Sequence, residues 1–303
     1  MRGGTLLAAV IRVPADGPTD WFTGGADRAT RVRYPRPVGP VQLILVALVQ
    51  GLTEYLPISS TAHLILLPRL FGWPDQGLAV DVAANTGTLL AVVAYFRKDL
   101  VVYVRALLPG VDTGDANARR MIPLLAVASV PVLVIGIAME RWVAGAARGP
   151  GVIAWATIGF GLALGAADRW GGQKRRLGQL TWLRALVFGV AQAMALIPGA
   201  SRAGVVISAG RLLGFDRESS ARFAFLMAIP AGIFVAGGKT LEMLSGELPV
   251  SQLPSLLLVA ALSAIVGYLV IGALLGWVRR RSLQVFVAYR LVLGAVLLVL
   301  FQT

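Results

Sequence analysis

An acid, hydroxyl groups and the only histidine of the chain lie within fifteen residues, in the segment QGLTEYLPISSTAHL. Gln50 and Glu54 are four residues apart, so they can share one face of a helix. Ser60 and His63 are three residues apart and can do the same on a second helix, which Pro57 separates from the first. Because polar groups are costly to bury in a membrane, this segment is the first candidate for a catalytic site.

A second polar break lies further along the chain, where Ser201 and Arg202 follow Pro198-Gly199. The N-terminus of a helix presents free N–H groups and a partial positive charge, which favours bound anions. Ser59 precedes Ser60 in the same way after the first break. The two breaks together therefore predict a site in which a phosphate is held between two helix ends.

The residue types at these breaks suit phosphoryl transfer. Arg202 offers a planar fork that can hold phosphate oxygens, and Glu54 with Gln50 could bind a divalent cation, Mg²⁺ or Ca²⁺, that bridges the same oxygens. Ser60 could attack phosphorus with His63 as general base or acid, or an activated water could attack instead. Simpler alternatives stay open: Ser59 and Ser201 could be helix caps, and His63 could be a packed interfacial histidine.

Composition places these residues in a membrane protein. Apolar residues make up 57% of the 303 residues, the mean hydropathy is +0.75, and apolar stretches of about twenty residues recur. The formal charge of +13 falls mostly between these stretches, which indicates membrane topology rather than nucleic-acid binding. The chain has no cysteine, which excludes disulfides and thiol catalysis, and one histidine argues against a His-rich zinc site.

Hydropathy predicts an all-α polytopic protein with a polar, flexible tail over residues 1–39 and a single membrane domain over 40–303. We predict ten helical segments: 41–56, 58–72, 78–96, 121–139, 150–167, 181–197, 200–213, 218–240, 253–278 and 284–302. Two pairs of segments are short and broken by proline. Broken helices at membrane depth must be buried in protein or line a wet cavity, so both pairs are predicted to be re-entrant hairpins.

A faint internal repeat relates residues 41–167 to 181–302. Aligned on their prolines, LPISSTAH faces IPGASRAG, which places Ser60 opposite Ser201. Five segments in each half, with breaks in corresponding places, are typical of repeats that build a site at their interface. An odd number of true spans in each half makes the repeat inverted, with six spanning helices and two re-entrant hairpins.

Charge in the loops predicts the orientation. One side is predicted to carry sixteen cations and the other four, so the basic side is cytoplasmic and the first hairpin enters from outside. The sixteen are Arg97, Lys98, Arg105, Arg119, Arg120, Arg169, Lys174, Arg175, Arg176, Arg184, Arg211, Arg217, Arg222 and Arg279 to Arg281, against Arg69, Arg141, Arg148 and Lys239.

Two long motifs carry a family resemblance. QGLTEYLPISSTAHLIL and IPGASRAGVVISAGRLLGFDRESSARFAFLMAIP strongly resemble the signature regions of the undecaprenyl-diphosphate phosphatase family, also called bacitracin-resistance proteins, and the resemblance runs from about Val41 to the C-terminus, including Tyr289-Arg290. It implies removal of the terminal phosphate of a C55 isoprenoid diphosphate carrier, which recycles the carrier for peptidoglycan synthesis. It also implies an inverted-repeat fold in the bacterial cytoplasmic membrane, a divalent-cation requirement and a site facing outside.

The resemblance assigns roles by position. Glu54 matches the family's essential acid and Gln50 begins its Glu/Gln-x-x-x-Glu motif, while Ser59, Ser60 and His63 match its catalytic region. Ser201 and Arg202 match the phosphate-binding Pro-Gly-x-Ser-Arg motif. The chain departs from the pattern at Ala62, where glycine is usual, at Ala203 and Val206, where serine and threonine are usual, and at Asn85, where glutamine is expected.

A lipid or small-anion transporter is the alternative function, because inverted repeats with broken helices also build transporters. A carrier needs a cationic grip but has no need for Glu54, Ser60 and His63 together. The expected partners are a polyprenyl diphosphate substrate and membrane lipids, with no nucleic acid. A homodimer is one alternative for the oligomeric state.

Overall fold

The computed structural model describes residues 38–144, 149–245 and 252–301, and the predicted tail lies outside them except for its last two residues. Within these ranges the chain forms eleven α-helices and one isolated β-bridge between Arg175 and Phe215. The helices are α1 (Pro40–Thr53), α2 (Ser60–Phe71), α3 (Leu78–Tyr95), α4 (Arg97–Arg105), α5 (Ala118–Ala144), α6 (Pro150–Trp170), α7 (Trp182–Met194), α8 (Arg202–Leu212), α9 (Arg217–Ser245), α10 (Leu253–Val278) and α11 (Gln284–Phe301).

Five of these helices are long and apolar enough to cross a membrane: α3, α5 over Ala118–Met139, α6, α10 and α11. Their outward surfaces carry large apolar side chains such as Ile137, Leu269 and Val299, each more than half exposed. Helices that are apolar on all sides suit a lipid environment. The predicted all-α polytopic membrane protein is confirmed.

Helix α4 is an addition to the prediction, which treated residues 97–120 as a loop. Its sequence RKDLVVYVR is amphipathic, with Tyr103 buried in the core and Arg105 exposed. Asp99 of α4 accepts a hydrogen bond from Arg222 of α9 at 3.0 Å. The segment was wrongly read as loop because its charges outweigh its few apolar residues in a hydropathy window.

Two helical hairpins have their turns at the prolines, as the sequence predicts. Helix α1 turns into α2 through residues 54–59, and α7 turns into α8 through residues 195–201. Ser59 and Ser201 precede the second helix of each hairpin with φ of 74° and 67°, and they are the only non-glycine residues with positive φ in the part of the chain described. Such a backbone is uncommon for a side-chain-bearing residue and clusters at functional sites.

The starts of α2 and α8 do not match the proline alignment of the predicted repeat. The structure pairs Ser59 with Ser201, whereas alignment on the prolines pairs Ser60 with Ser201. The reason is length: one residue separates Pro57 from Ser59, but two separate Pro198 from Ser201. Ser60 is consequently the first residue of α2, and Arg202 is the first residue of α8.

The helices approach closely through glycine. A Cβ at Gly87 of α3 would lie 2.2 Å from the carbonyl oxygen of Ala260 in α10, and one at Gly189 of α7 would lie 2.3 Å from that of Ala128 in α5. Small residues at such contacts are typical of helix packing in membranes. The main hydrophobic cluster takes more of its buried residues from α9 than from any other helix.

Arg211 does not belong among the sixteen cations assigned to the basic side. It was assigned to a basic loop, but it lies in α8 and is fully buried. Its guanidinium donates to the carbonyl oxygens of Gly172 at 2.5 Å and Phe215 at 2.8 Å, and its Nε lies 3.5 Å from Asp168. Asp168 also accepts from Arg217 at 2.5 Å, so Arg211 ties α6, α8 and α9 together instead of marking a surface.

The other cations of the predicted basic side are mainly at the surface. Arg105, Arg120, Arg176 and Arg280 are exposed. On the sparse side, Arg148 lies outside the described residues, as do the side chains of Arg141 and Lys239.

Candidate active site

Glu54 accepts hydrogen bonds from side chains of both hairpins. It caps the end of α1, and its side chain is 12% exposed. Ser60, the first residue of α2, donates its hydroxyl to Glu54 Oε2 at 2.7 Å. Arg202, the first residue of α8, donates Nη2 to Glu54 Oε1 at 2.5 Å. The acid, hydroxyl and guanidinium predicted from the sequence are therefore in direct contact, although they come from different halves of the chain.

Gln50 lies beneath this group, one helical turn before Glu54. Its Nε2 donates to Glu54 Oε2 at 3.0 Å and to Asn85 Oδ1 of α3 at 3.1 Å, and the side chain is 1% exposed. Its Oε1 is buried with no hydrogen-bond partner among the described residues. Buried amide oxygens are normally paired, so this atom marks a position that suits a bound cation or water.

The two serines that precede the helices differ in their contacts. Ser201 accepts a hydrogen bond on Oγ from the backbone N–H of Gly204 at 3.3 Å, which is a helix cap. Ser59 is 2% exposed, and its hydroxyl makes no such cap. Its carbonyl oxygen instead lies 2.7 Å from Nδ1 of His63.

His63 makes its hydrogen bonds to groups other than the Ser60 hydroxyl. Its Nε2 lies 2.7 Å from the hydroxyl of Tyr289 in α11, and the two rings are stacked with centroids 5.6 Å apart. Both ring nitrogens are thus engaged, while the Ser60 hydroxyl bonds to Glu54. We expected a direct proton transfer from Ser60 to His63, but the structure contains no hydrogen bond between these two side chains.

Arg290 holds both breaks and was not singled out as a site residue from the sequence. It is fully buried, and its guanidinium donates to carbonyl oxygens on both sides: Pro57 at 3.3 Å, Ala200 at 2.9 Å, Gly199 at 3.0 Å, Thr157 at 3.0 Å and Ala156 at 3.4 Å. An arginine inside an apolar segment is itself a signal of function or structure in a membrane protein. Arg290 fixes the distance between the two helix ends that carry Ser60 and Arg202.

We expect Arg290→Met to destabilise the protein by about 3 kcal/mol or more, because hydrogen bonds from a charged group contribute about 1.5–3 kcal/mol each and several carbonyl groups would lose theirs. The measurement is thermal unfolding in detergent. Exposed Arg280→Met is the matched control and should unfold near the wild-type temperature. Equal unfolding temperatures for the two variants would show that Arg290 does not hold the breaks.

Three of the four departures from the family pattern lie in packed surroundings, whereas the fourth, Asn85, is exposed. Ala203 and Val206 belong to the main hydrophobic cluster, and Ala62 is buried against α6 and α11. At Ala203 and Val206 the chain packs apolar side chains where the resemblance leads us to expect hydroxyls. The Glu54, Ser60 and Arg202 contacts form without those hydroxyls.

No group of three or more His, Cys, Asp or Glu side chains that could hold a metal ion occurs in residues 38–144, 149–245 and 252–301. Any cation at Glu54 would therefore depend on one carboxylate, on amide oxygens from Gln50 and Asn85, and on oxygens from the substrate. That donor set fits a weak site for a hard cation.

Fold and site define an integral membrane protein in which an acid, a serine and an arginine meet at two helix breaks. Comparison with known proteins then gives the family: the model of the bacitracin resistance protein BacA matches residues 43–296. The chain is 45% identical to the undecaprenyl-diphosphatase of Magnetococcus marinus, over 84% of this chain and 96% of the relative. It is 46% identical to undecaprenyl-diphosphatase 2 of Stutzerimonas stutzeri, over 86% and 98% of the respective chains. The chain belongs to the bacitracin resistance protein family.

Proposed function

We propose that this protein hydrolyses undecaprenyl diphosphate to the monophosphate and inorganic phosphate, and so recycles the lipid carrier for peptidoglycan synthesis and confers bacitracin resistance. The observation that carries the proposal is Glu54, which accepts hydrogen bonds from Ser60 and Arg202 at once. The names of the relatives, which are undecaprenyl-diphosphatases, support it. A transporter would need Arg202 but has no use for a hydroxyl bonded to a carboxylate.

The contacts suggest how Ser60 is activated. Its hydroxyl already donates to Glu54 Oε2, so the carboxylate can take the proton as the Ser60 oxygen attacks the terminal phosphorus. The Ser60 oxygen–phosphorus bond forms and the anhydride bond breaks, with the lipid monophosphate as leaving group. Water then cleaves the phosphoserine, and Glu54 returns the proton to Ser60.

Arg202 would stabilise the charge on the transferred phosphate. Its Nη2 contacts Glu54, and its Nη1 lies 3.5 Å from the carbonyl oxygen of Ala228, which holds the guanidinium beside the Ser60 hydroxyl. The planar fork is suited to phosphate oxygens. Ser59 and Ser201, at the two helix ends, would add backbone N–H groups and helix dipoles on the same side.

A divalent cation, Mg²⁺ or Ca²⁺, is part of the proposal. Glu54 and Gln50 would hold it, with Asn85 beside them, and the unpaired Oε1 of Gln50 is the free acceptor in this set. When bound, such an ion neutralises phosphate charge and polarises the phosphoryl oxygens.

The membrane arrangement is also proposed. The two hairpins are re-entrant, and the halves form an inverted repeat with six spanning helices, α9 being the sixth. In support, α1 packs on α10 and α7 packs on α5, which are equivalent pairs if the halves are related. The exposed cations favour a cytoplasmic basic side of a bacterial cytoplasmic membrane, with the site facing outside. A homodimer is compatible with these features.

Purified protein in detergent is expected to release inorganic phosphate from undecaprenyl diphosphate. Because the cation site has a single carboxylate and depends on the substrate, EDTA should lower the rate by about tenfold or more and added Mg²⁺ or Ca²⁺ should restore it. The measurement is colorimetric phosphate release with and without the chelator.

Three results are distinguishable in this experiment. Release that EDTA does not affect would exclude the cation role but leave the phosphatase function. Tight binding of the lipid diphosphate without any release, in protein that remains folded, would favour the lipid or anion transporter. Release from the diphosphate that EDTA suppresses supports both parts of the proposal.

A further inference from the structure

His63 is the middle member of a hydrogen-bonded chain that joins α2 to α11. Its Nδ1 lies 2.7 Å from the carbonyl oxygen of Ser59, and its Nε2 lies 2.7 Å from the Tyr289 hydroxyl. The imidazole and phenol rings are nearly parallel, with an interplanar angle of 4°. These contacts use both nitrogens of the ring and hold its plane.

The partners determine where the imidazole proton lies. A carbonyl oxygen can only accept, so Nδ1 must carry a hydrogen and donate it to Ser59. In the neutral ring Nε2 is then the acceptor, and the Tyr289 hydroxyl must donate to it. Tyr289 therefore covers the one nitrogen of His63 that can take up a proton.

Tyr289 is the outer end of this hydrogen-bonded chain, on the face of α11 that also exposes Val285 and Val292. It is 45% exposed, whereas Ser59 at the opposite end is 2% exposed. The next residue, Arg290, is anchored to carbonyl groups of both helix breaks, so the backbone that carries Tyr289 is fixed relative to the site.

We propose that Tyr289 is a catalytic residue that relays a proton between the attacking water and His63, and that the pair handles a different proton from the Ser60–Glu54 pair. This inference rests on the proposed hydrolysis. As water attacks the phosphoserine, its proton passes to the Tyr289 oxygen while the Tyr289 hydrogen passes to Nε2, which leaves an imidazolium that still donates to Ser59. The hydroxide oxygen forms the new bond to phosphorus, and the bond from phosphorus to the Ser60 oxygen breaks. The two transfers then reverse, and the proton returns from the imidazolium through Tyr289 to the departing phosphate.

The single histidine of the chain makes a direct test feasible. Protein labelled with isotopic nitrogen in histidine gives one pair of imidazole nitrogen signals, which report the tautomer and the hydrogen bonds of His63. We expect wild type to show a protonated Nδ1 and a hydrogen-bonded Nε2, and Tyr289→Phe to shift the Nε2 signal. Tyr268→Phe is the matched control: Tyr268 is 38% exposed, its ring centroid lies 5.4 Å from that of Tyr95, and the substitution should leave the spectrum unchanged. Identical spectra for wild type and Tyr289→Phe would overturn the contact.

Kinetics separate a proton relay by Tyr289 from a packing role. Tyr289→Phe should lower kcat by about tenfold with little change in KM, because the hydroxyl affects a proton transfer and not binding. In a His63→Gln background the same substitution should have almost no further effect, since residues that act as a unit are not additive. An equal loss of kcat in the wild-type and His63→Gln backgrounds would show that Tyr289 has only a structural role. Absence of phosphate release by wild type would refute the proposed function instead, and the spectra would still show whether the pair exists.

Discussion

Glu54→Gln is expected to lower phosphate release by about a hundredfold or more while the protein remains folded. The amide keeps the size of the side chain but cannot take a proton from Ser60. It also loses the charge that Arg202 pairs with at 2.5 Å. Because both effects act on the transition state, kcat should fall with little change in KM. The measurement is steady-state phosphate release from undecaprenyl diphosphate, with thermal unfolding recorded for the same samples.

The matched control is Glu218→Gln. Glu218 also pairs with an arginine, Arg279, at 2.7 Å, but at an exposed position far along the chain from the breaks. Surface pairs of this kind contribute little, so its activity and unfolding temperature should stay near those of wild type. Near-normal turnover in Glu54→Gln would mean that Ser60 is not activated by Glu54.

Ser60→Ala is the second substitution expected to have a large effect, again about a hundredfold or more. It removes the hydroxyl whose oxygen forms the bond to phosphorus, and it leaves the backbone N–H at the start of α2 in place. Ser60 is the first residue of the helix, so the alanine causes no conformational strain there. The measurement is the initial rate of phosphate release at saturating substrate.

Ser59→Gly provides the comparison within the same break. Glycine accepts the φ of 74° and keeps the carbonyl group that His63 needs, while it removes the adjacent hydroxyl. This variant should retain most of the activity. If Ser60→Ala instead kept most of its activity, the attacking group would be a water, and both serines would serve as phosphate ligands at the helix end.

Much of the site was predictable because broken helices and charged residues are costly in a membrane. Pro57 and Pro198 located the two breaks, and the polar residues beside them located Glu54, Ser60 and Arg202. The sequence could also suggest that the breaks face each other, through their faint repeat. These inferences depend on local composition, and the structure places the three side chains in contact.

Other features depend on tertiary distance, which local patterns do not contain. The partner of His63 lies 226 residues away in α11, so spacing could only suggest the nearby Ser60. Arg211 resembled a loop cation because its partner Asp168 belongs to a different helix. The proline alignment of the predicted repeat placed Ser60 opposite Ser201, but the residues of positive φ before the two helices are Ser59 and Ser201, whose distances from the prolines differ by one residue.

The most direct test of a phosphoryl transfer from the lipid to Ser60 is rapid acid quench of wild-type protein during turnover of undecaprenyl diphosphate labelled in its terminal phosphate. Mass spectrometry of the peptide that contains Ser60 then locates the label. We expect labelled phosphate on Ser60 in wild type, more of it in Tyr289→Phe if the second step is slowed, and none in Glu54→Gln. Rapid phosphate release with no label on Ser60 at any quench time would contradict attack by this hydroxyl.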